Sequence, residues 1–317
     1  MKPHFFLCIA LAAALALPAA AQVKVTQQPD RIAIEIDGKP FSDFFVGPET
    51  TKPYMHPLRS ASGKIVSRHY PMESVPGESR DHPHQRGLWF AHGDVNGYDF
   101  WANEPNQKGA TKNGKGRIVT KKVLGVKSGN KSGSLKAQFE WRTWDGKPLL
   151  TETREMVFYS DPKLRTIDFD IRLAAIEKAT FGDTKEGVFA IRLATPLEET
   201  KGGKMVAADG RVGEKLIWGK QSPWVDYYGQ LEGETLGVAI LDHPSSPRYP
   251  TYWHSRAYGL FACNIWGLHD FVDKSKDGSQ TLEPGQSLHF RYRVVIHPGD
   301  TASADIAGTH KKFASKK

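Results

Sequence analysis

The chain has 317 residues, of which 43 are lysine or arginine and 35 are aspartate or glutamate, so its formal charge is +8. The basic residues are dispersed, apart from small clusters at Lys121–Lys122 and in a short tail from about residue 301. This dispersal argues against nucleic-acid binding, which needs a clustered basic stripe. The excess of positive charge favours acidic or anionic partners only weakly, and nothing in the composition indicates an oligomeric state.

Residues 1–21 have the features of a secretory signal peptide. Lys2 gives a basic start, residues 5–17 form an apolar run, and Ala19-Ala20-Ala21 precede Gln22. That run is too short to span a membrane, and no second long apolar run follows. We therefore expect cleavage before Gln22 and a periplasmic or secreted product without a membrane span.

Intact-mass measurement of exported protein should show the loss of residues 1–21, because the three-part pattern directs cleavage at the alanine triplet. Cleavage also removes Cys8, which leaves Cys263 as the one cysteine and excludes an intrachain disulfide. A retained N-terminus would contradict this prediction.

Alternating apolar and polar residues predict β-strands through most of residues 22–317. The pattern is clear in residues 31–36, 135–141, 151–159, 167–173 and 290–296, and Asp145-Gly146 predicts a hairpin turn. A helical period occurs only in the tail, over residues 302–313. Many strands, frequent turns and no alternation of strands with helices predict an all-β fold: one large two-sheet β-sandwich domain over 22–317, with few short helices.

The densest group of chemically active side chains lies in residues 81–101, which read DHPHQRGLWFAHGDVNGYDFW. Pro83 disfavours helix for the residue before it, so His82 and His84 are predicted to form an extended pair on one face of the backbone. Residues 88–91 are predicted to be a buried strand, with the polar residues on both sides in loops. The glycine-rich segment 103–116 is predicted to be a long exposed loop that covers this stretch as a lid.

Three later segments have a similar composition: 181–192 (FGDTKEGVFAIR), 221–229 (QSPWVDYYG) and 241–271, which is rich in histidine, arginine and tryptophan. Six of the eight tryptophans lie in or beside the four segments. Aromatic rings stack on the apolar faces of sugars, while acids, amides, arginine and histidine bind hydroxyl groups. We therefore predict that all four segments converge on one carbohydrate-binding cleft.

Hydrolysis, lyase chemistry and epimerisation of a sugar all require a general acid and base that work near neutral pH, which histidine with a carboxylate supplies. The candidate catalytic residues are His82, His84, Glu186 and His254. The candidate substrate-binding residues are Arg86, Trp89, Asp94, Asn96, Trp101, Lys185, Trp253 and Arg256. His84 in particular is predicted to have a pKa near neutrality, because Asp81 and Arg86 lie close to it in sequence.

Two alternatives remain open on the residues alone. A metal-dependent sugar lyase or hydrolase would use His82, His84 and His92 as ligands of a divalent ion such as Zn²⁺ or Ca²⁺. A non-catalytic carbohydrate-binding protein would need the tryptophans without the histidines and acids. No motif requires any other cofactor, and no nucleotide-binding motif is present.

The blocks DHPHQRGLWFAHGDVNGYDFW, GDTKEG, SPWVDYYG and LDHPSSPRYPTYWHSRAYGLF resemble a family of secreted bacterial proteins of unknown function that is labelled methane oxygenase PmoA. The resemblance spans nearly all of residues 22–317. The family has His-Pro-His-His-Arg in the first block, and Gln85 stands here in place of its second consecutive histidine. Methane oxidation does not fit a chain without a membrane span. The family is instead similar to galactose-mutarotase-like supersandwich proteins, which implies that fold and a carbohydrate substrate.

Overall fold

A computed structural model describes residues 22–316, so the predicted signal peptide lies outside the described residues. The strands are, in chain order, Val23–Gln27 (β1), Arg31–Ile36 (β2), Lys39–Phe45 (β3), Tyr54–His56 (β4), Leu88–His92 (β5), Gly116–Lys127 (β6), Ser132–Thr143 (β7), Pro148–Tyr159 (β8), Arg165–Ala175 (β9), Ala179–Phe181 (β10), Gly187–Arg192 (β11), Lys204–Ala207 (β12), Trp224–Leu231 (β13), Glu234–Asp242 (β14), Tyr252–Ser255 (β15), Leu260–Asn264 (β16), Gln280–Leu282 (β17) and Ser287–Pro298 (β18).

These strands form two large antiparallel sheets. Sheet I has the order β1-β2-β3-β4-β5-β11-β16-β15, and sheet II has the order β12-β13-β14-β18-β9-β8-β7-β6. Strands β10 and β17 pair in a small separate sheet. The predicted all-β, two-sheet sandwich is confirmed.

The helices are short: Glu214–Ile217 (α1), Leu268–Phe271 (α2) and Ile306–Ala314 (α3), with 3-10 turns at Thr195–Leu197 and Glu199–Lys201. Helix α3 is the helix predicted in the tail, and the Asp305 side chain caps it by accepting a hydrogen bond from the Gly308 N–H at 3.1 Å. None of the helices in residues 22–316 has both the length and the apolar character that a membrane span needs.

The strands predicted from alternation correspond to β2, β7, β8, β9 and β18, and their burial alternates along the chain, most regularly in β2, β8 and β9. The buried side chains meet between the sheets, where aromatic rings from sheet I contact rings from sheet II. Phe44 lies 6.0 Å from Phe139, and Phe90 lies 5.4 Å from Phe290, measured between ring centroids. The period of two thus places one face of each sheet in a shared aromatic core.

The centre of sheet I differs because β5, β11 and β16 are buried on both faces. Phe90 of β5 and Phe189 of β11 point towards sheet II, where Phe189 stacks on Tyr292 at 4.6 Å. Trp89 and Ala190, which oppose each other across β5 and β11, therefore lie on the outer face. Both are fully buried, so the long connections between strands cover this outer face, and they form the candidate site there.

Asp242, at the end of β14, is a buried carboxylate that makes the stability of the fold sensitive to pH. Its side chain is almost completely buried, Oδ2 accepts a hydrogen bond from the Thr251 N–H at 3.1 Å, and Oδ1 has no partner within the described residues. Burial raises the pKa of Asp242 to about 7.

Asp242→Asn is therefore expected to stabilise the protein relative to wild type by clearly more at pH 8 than at pH 5. The folded protein holds the Asp242 proton more tightly than the unfolded chain, so the wild type loses up to a few kcal/mol as the pH rises from about 4 to about 7. Urea unfolding at both pH values measures the difference. The exposed Asp145→Asn is the control, and an equal effect of Asp242→Asn at both pH values would contradict the prediction.

Candidate functional site

An open cleft of about 900 Å³ lies on the outer side of sheet I. That volume is within the range of small-molecule binding sites. The residues that line it flank both ends of β5, precede β11 and β16, or belong to the loop before β6. They are His82, His84, Gln85, Gly93, Asp94, Asn96, Gly97, Asp99, Trp101, Ala102, Ala110, Thr111, Lys112, Thr180, Gly182, Thr184, Glu186 and Tyr258.

Two carboxylates face this cleft from adjoining strand ends. Asp94 follows β5 and Glu186 precedes β11, where the Gly93 N–H donates to the Glu186 carbonyl oxygen at 2.6 Å. Gly93 is needed here, because a Cβ at this position would lie 2.8 Å from Glu186 Cβ. Chain pairing and this close approach therefore hold the backbones of the two acids next to each other, and both side chains line the cleft.

The surroundings of the two acids differ. Asp94 Oδ1 accepts a hydrogen bond from the Gly97 N–H at 2.8 Å, while Oδ2 accepts none from the described residues. Burial raises the pKa of Asp94, although the Gly97 N–H and Lys112 oppose the effect. Glu186 instead forms a half-exposed ion pair with Lys185, with 2.8 Å between Oε1 and Nζ.

His84 is a neutral hydrogen-bonding group in the cleft wall. Gln107 Nε2 lies 2.8 Å from His84 Nδ1, and the Gln107 carbonyl oxygen accepts from the Glu104 N–H at 3.4 Å. The amide therefore donates to Nδ1, which places the imidazole proton on Nε2. Burial, reinforced by Lys52, lowers the pKa of His84 to about 2, so the predicted pKa near neutrality is wrong.

His84 is expected to stay neutral, with its proton on Nε2, from about pH 4 to about pH 9, because its pKa lies far below this range. Correlation spectra of the ¹⁵N-labelled imidazole nitrogens report both the charge and the tautomer. Gln107→Leu removes the donor to Nδ1 and should give a mixture of tautomers. Titration of His84 near neutral pH would contradict this assignment.

The His82–His84 segment is a turn, so the predicted extended pair is wrong. His82 has a positive φ of 45°, and the Gln85 N–H donates to the His82 carbonyl oxygen at 3.0 Å. The two imidazole rings still lie 5.6 Å apart, and His82 stacks on Tyr258 at 5.5 Å. Asp81 contacts His82 Nδ1 at 3.1 Å.

Trp101 forms the floor of the cleft, and Trp89, which was predicted to bind substrate, lies buried beneath it and does not line the cleft. Trp101 lines it and packs over the buried Trp89, with 5.0 Å between ring centroids. Asp99 Oδ1 accepts hydrogen bonds from the N–H groups of Trp101 and Ala102, both at 2.8 Å, and Oδ2 accepts from the Ala110 N–H at 3.1 Å. The Asp99 carboxylate thereby ties the floor to the loop above it.

Residues 103–115 form the predicted loop, which contains no regular strand or helix and contributes Ala110, Thr111 and Lys112 to the cleft wall. A buried ionic network anchors this loop. Arg86 donates to both oxygens of Glu104 at 2.9 and 2.7 Å, and the fully buried Lys52 Nζ donates to Asn103 Oδ1 at 2.7 Å. Arg86 thus supports the loop, and it is not among the residues that line the cleft.

The metal set predicted from His82, His84 and His92 is wrong. His92 is fully buried on β5, where Nε2 lies 2.8 Å from the Gly182 carbonyl oxygen and the ring packs 4.6 Å from Trp266. No group of three or more His, Cys, Asp or Glu residues between 22 and 316 is placed to hold a metal ion. His92 is two residues after Phe90 on β5, so it points to the same inward side, towards the core. His82 and His84 lie before β5 and line the cleft.

Four further residues predicted for the cleft lie outside its lining. Trp253 is fully buried, stacks on Phe261 and cannot form a sugar platform. His254 is also buried, with Nδ1 3.0 Å from the Lys185 carbonyl oxygen. Arg256 pairs with Glu214 at 2.7 Å, and Lys185 reaches the cleft only through Glu186.

The convergence of all four segments is also wrong as predicted. Segment 221–229 is part of β13 in sheet II, and its Asp226 is completely buried against His297 at 3.0 Å. Segment 241–271 contributes Tyr258 alone to the cleft. Asn96 lines the cleft as predicted, but its amide already bonds the Thr180 N–H at 2.7 Å and the Lys178 carbonyl oxygen at 2.9 Å.

The sequence reasoning missed Lys52, Gln107 and Tyr258. Gln107 and Lys52 lie in segments without alternation, and a lysine in such a segment is normally exposed. Tyr258 lies in segment 241–271, one of the four predicted to form the cleft. The glycine after it, Gly259, has a positive φ of 85° and is the sequence signal for the turn that presents Tyr258.

A search of curated protein sequences gives no match to this chain. Among solved structures, the α-galactosidase from Lactobacillus brevis aligns with a TM-score of 0.42 at 9% identity, over 89% of this chain and 40% of that one. The GH36 α-galactosidase AgaB from Geobacillus stearothermophilus aligns with a TM-score of 0.40 at 11% identity, over 88% of this chain and 41% of that one. The Slr1438 protein from Synechocystis sp. PCC 6803 aligns with a TM-score of 0.37 at 9% identity, over 93% of this chain and 100% of that one.

This chain therefore spans about 40% of the length of the two α-galactosidases. Residues 31–311 match a family of unknown function (DUF6807), which covers almost all of the described sandwich. The chain therefore belongs to the DUF6807 family of unknown function.

Proposed function

We propose that this protein is an exported carbohydrate-active enzyme that cleaves a glycosidic bond in the cleft. The observation that carries the proposal is the pair of carboxylates, Asp94 and Glu186, which adjoining strand ends bring to one place. Glycoside hydrolysis characteristically uses two carboxyl groups on either side of the scissile bond. The signal-peptide pattern of residues 1–21 supports export.

The surroundings of the two acids assign their roles. Asp94 is the general acid, because burial raises its pKa and its Oδ2 is free of protein hydrogen bonds within residues 22–316. Glu186, beside Lys185, is the carboxylate that acts on the anomeric carbon or on the attacking water. Asp94 gives its proton to the leaving oxygen, and the bond from that oxygen to the anomeric carbon breaks. A pair of carboxyl groups, one of which protonates the leaving oxygen, is the usual arrangement for the cleavage of a glycosidic bond.

The other groups in the cleft suit the binding of a sugar. The neutral His84 offers an Nε2–H donor to a hydroxyl or ring oxygen, so its role is orientation and not proton transfer. Trp101 closes the bottom of the cleft with only 1% of its surface exposed, so the aromatic surface that a sugar can reach is Tyr258 with the stacked His82. Thr180 and Thr184 add hydroxyl groups along the opposite wall.

The test is to incubate the purified protein with a panel of oligosaccharides and aryl glycosides and to follow the anomeric protons by NMR. New reducing-end signals are expected with wild type and not with Asp94→Asn. New signals of an unsaturated sugar or of an epimer would show that the reaction is a lyase reaction or an epimerisation instead of hydrolysis. Binding without any chemical change would make the protein a carbohydrate-binding protein, and the absence of any binding would overturn the proposal.

A further inference from the structure

A second cavity, of about 420 Å³, lies beside the cleft and is lined by Glu199, Glu214, Lys215, Trp218 and Ala257. We call it the side cavity. Its volume lies within the range of ligand-binding sites. The proposed cleavage in the main cleft does not use it, although Trp218 stands beside segment 221–229 and is one of the six tryptophans in or beside the four segments.

The side cavity and the cleft are adjacent at residues 257 and 258. Ala257 lines the side cavity and the next residue, Tyr258, lines the cleft. Arg256 bridges the two, since its guanidinium carbon lies 5.6 Å from the Tyr258 ring centroid and Nε lies 2.7 Å from Glu214 Oε1. A ligand that crosses Tyr258 therefore enters the side cavity past the Arg256–Glu214 pair.

A second chain of contacts leads from Glu186 to the same cavity. Lys185 pairs with Glu186, and the Lys185 carbonyl oxygen lies 3.0 Å from His254 Nδ1. The His254 ring in turn lies 6.4 Å from the ring of Trp218. Glu186 is thus linked through Lys185 and His254 to the aromatic wall of the side cavity.

The lining of the side cavity has the composition of a sugar subsite. Trp218 gives an aromatic wall, and its indole Nε1–H is buried without a hydrogen-bond partner in the described part of the chain. A buried donor that lacks a partner is costly, and the sugar-binding feature of Trp218 is its partly exposed ring. The half-exposed Arg256 and Glu214 are a donor and an acceptor for further hydroxyl groups.

We propose that the side cavity binds a further sugar unit, so that the substrate is an oligosaccharide that spans Glu186 and not a monosaccharide derivative. This inference rests on the proposed function. It gives Arg256, and the contact between Lys185 and His254, a role in substrate recognition at the side cavity instead of at the cleft.

Calorimetric titration with the glucose, xylose, mannose and galactose series, each as mono-, di- and trisaccharide, tests the proposal. For the series that binds, affinity is expected to rise with length. Trp218→Ala is expected to weaken trisaccharide binding by about tenfold and to leave monosaccharide binding unchanged, because one stacked ring contributes on the order of this factor. Trp144→Ala removes a tryptophan that is 44% exposed and lines neither cavity, so it is the matched control.

The outcomes separate the two proposals. Binding that does not increase with length, or that Trp218→Ala does not alter, would overturn the side-cavity assignment and leave the proposed function standing. No binding of any series would overturn both. If Trp218→Ala does not fold, Ala257→Leu narrows the same cavity and should selectively weaken trisaccharide binding.

Discussion

Replacing Glu186 with glutamine is expected to lower the rate of glycoside cleavage by about a hundredfold to ten-thousandfold, the usual loss when a group of an acid/base pair is removed. The substitution keeps the shape of the side chain and removes its charge. The melting temperature should stay close to that of wild type, because the Lys185–Glu186 pair is half-exposed and such pairs contribute little to stability. Turnover of the best substrate and thermal unfolding measure the two effects.

Glu283→Gln is the matched control, since Glu283 forms a similar surface pair with Lys178 at 3.2 Å and lies outside the cleft lining. It should change neither activity nor stability. Asp94→Asn should lower the rate to a similar extent and also remove the fall in activity at high pH, because the acid must be protonated to act. Full activity of Glu186→Gln would contradict the assignment of this residue.

Replacing Lys52 with methionine is expected to destabilise the protein by about 3 kcal/mol, because it leaves buried acceptors without their donor. Lys52 Nζ donates to the Trp101 carbonyl oxygen at 2.9 Å and to Asn103 Oδ1 at 2.7 Å, and it lies 3.8 Å from Glu104 Oε1. Burial lowers the pKa of Lys52 to about 8. Because the side chain is fully buried, protein acceptors and not water hold its ammonium group. Methionine fills the same space without a charge.

Urea unfolding measures this loss, and Lys24→Met is the control. Lys24 pairs with Glu35 at 3.1 Å on the surface, where its side chain is 58% exposed, and its replacement should change the free energy of unfolding by less than about 0.5 kcal/mol. The Lys52 variant should also bind sugars more weakly, since Trp101 and the loop 103–115 lose their anchor. A cost below about 1 kcal/mol would show that the buried network does not hold the loop.

The sequence predicts most of the fold because alternation is strong where one face of a strand is buried. Strands β2, β8 and β9 show this pattern and were predicted within a few residues of their ends. Strands β4, β10 and β17 have three residues each and are too short for alternation to be recognised.

Burial of both faces of a strand explains why the site was predicted only in part. In β5, β15 and β16 both faces are covered, so alternation does not tell which side chains point outward. His92, Trp253 and His254 lie on these strands, and all three were assigned to a site that they do not line. His84, Asp94 and Glu186 lie in the loops that flank the strands, where chemically active side chains are most often accessible.

The most direct test of the account is a crystal structure of Glu186→Gln with the best-binding oligosaccharide. A sugar ring is predicted against Tyr258 and the stacked His82, with His84 Nε2 in hydrogen-bond distance of a sugar oxygen, Asp94 Oδ2 next to the glycosidic oxygen, and the following sugar unit against Trp218. A sugar bound elsewhere, with Asp94 and Glu186 both out of reach of the glycosidic bond, would contradict the central claim that this pair of carboxylates performs the chemistry.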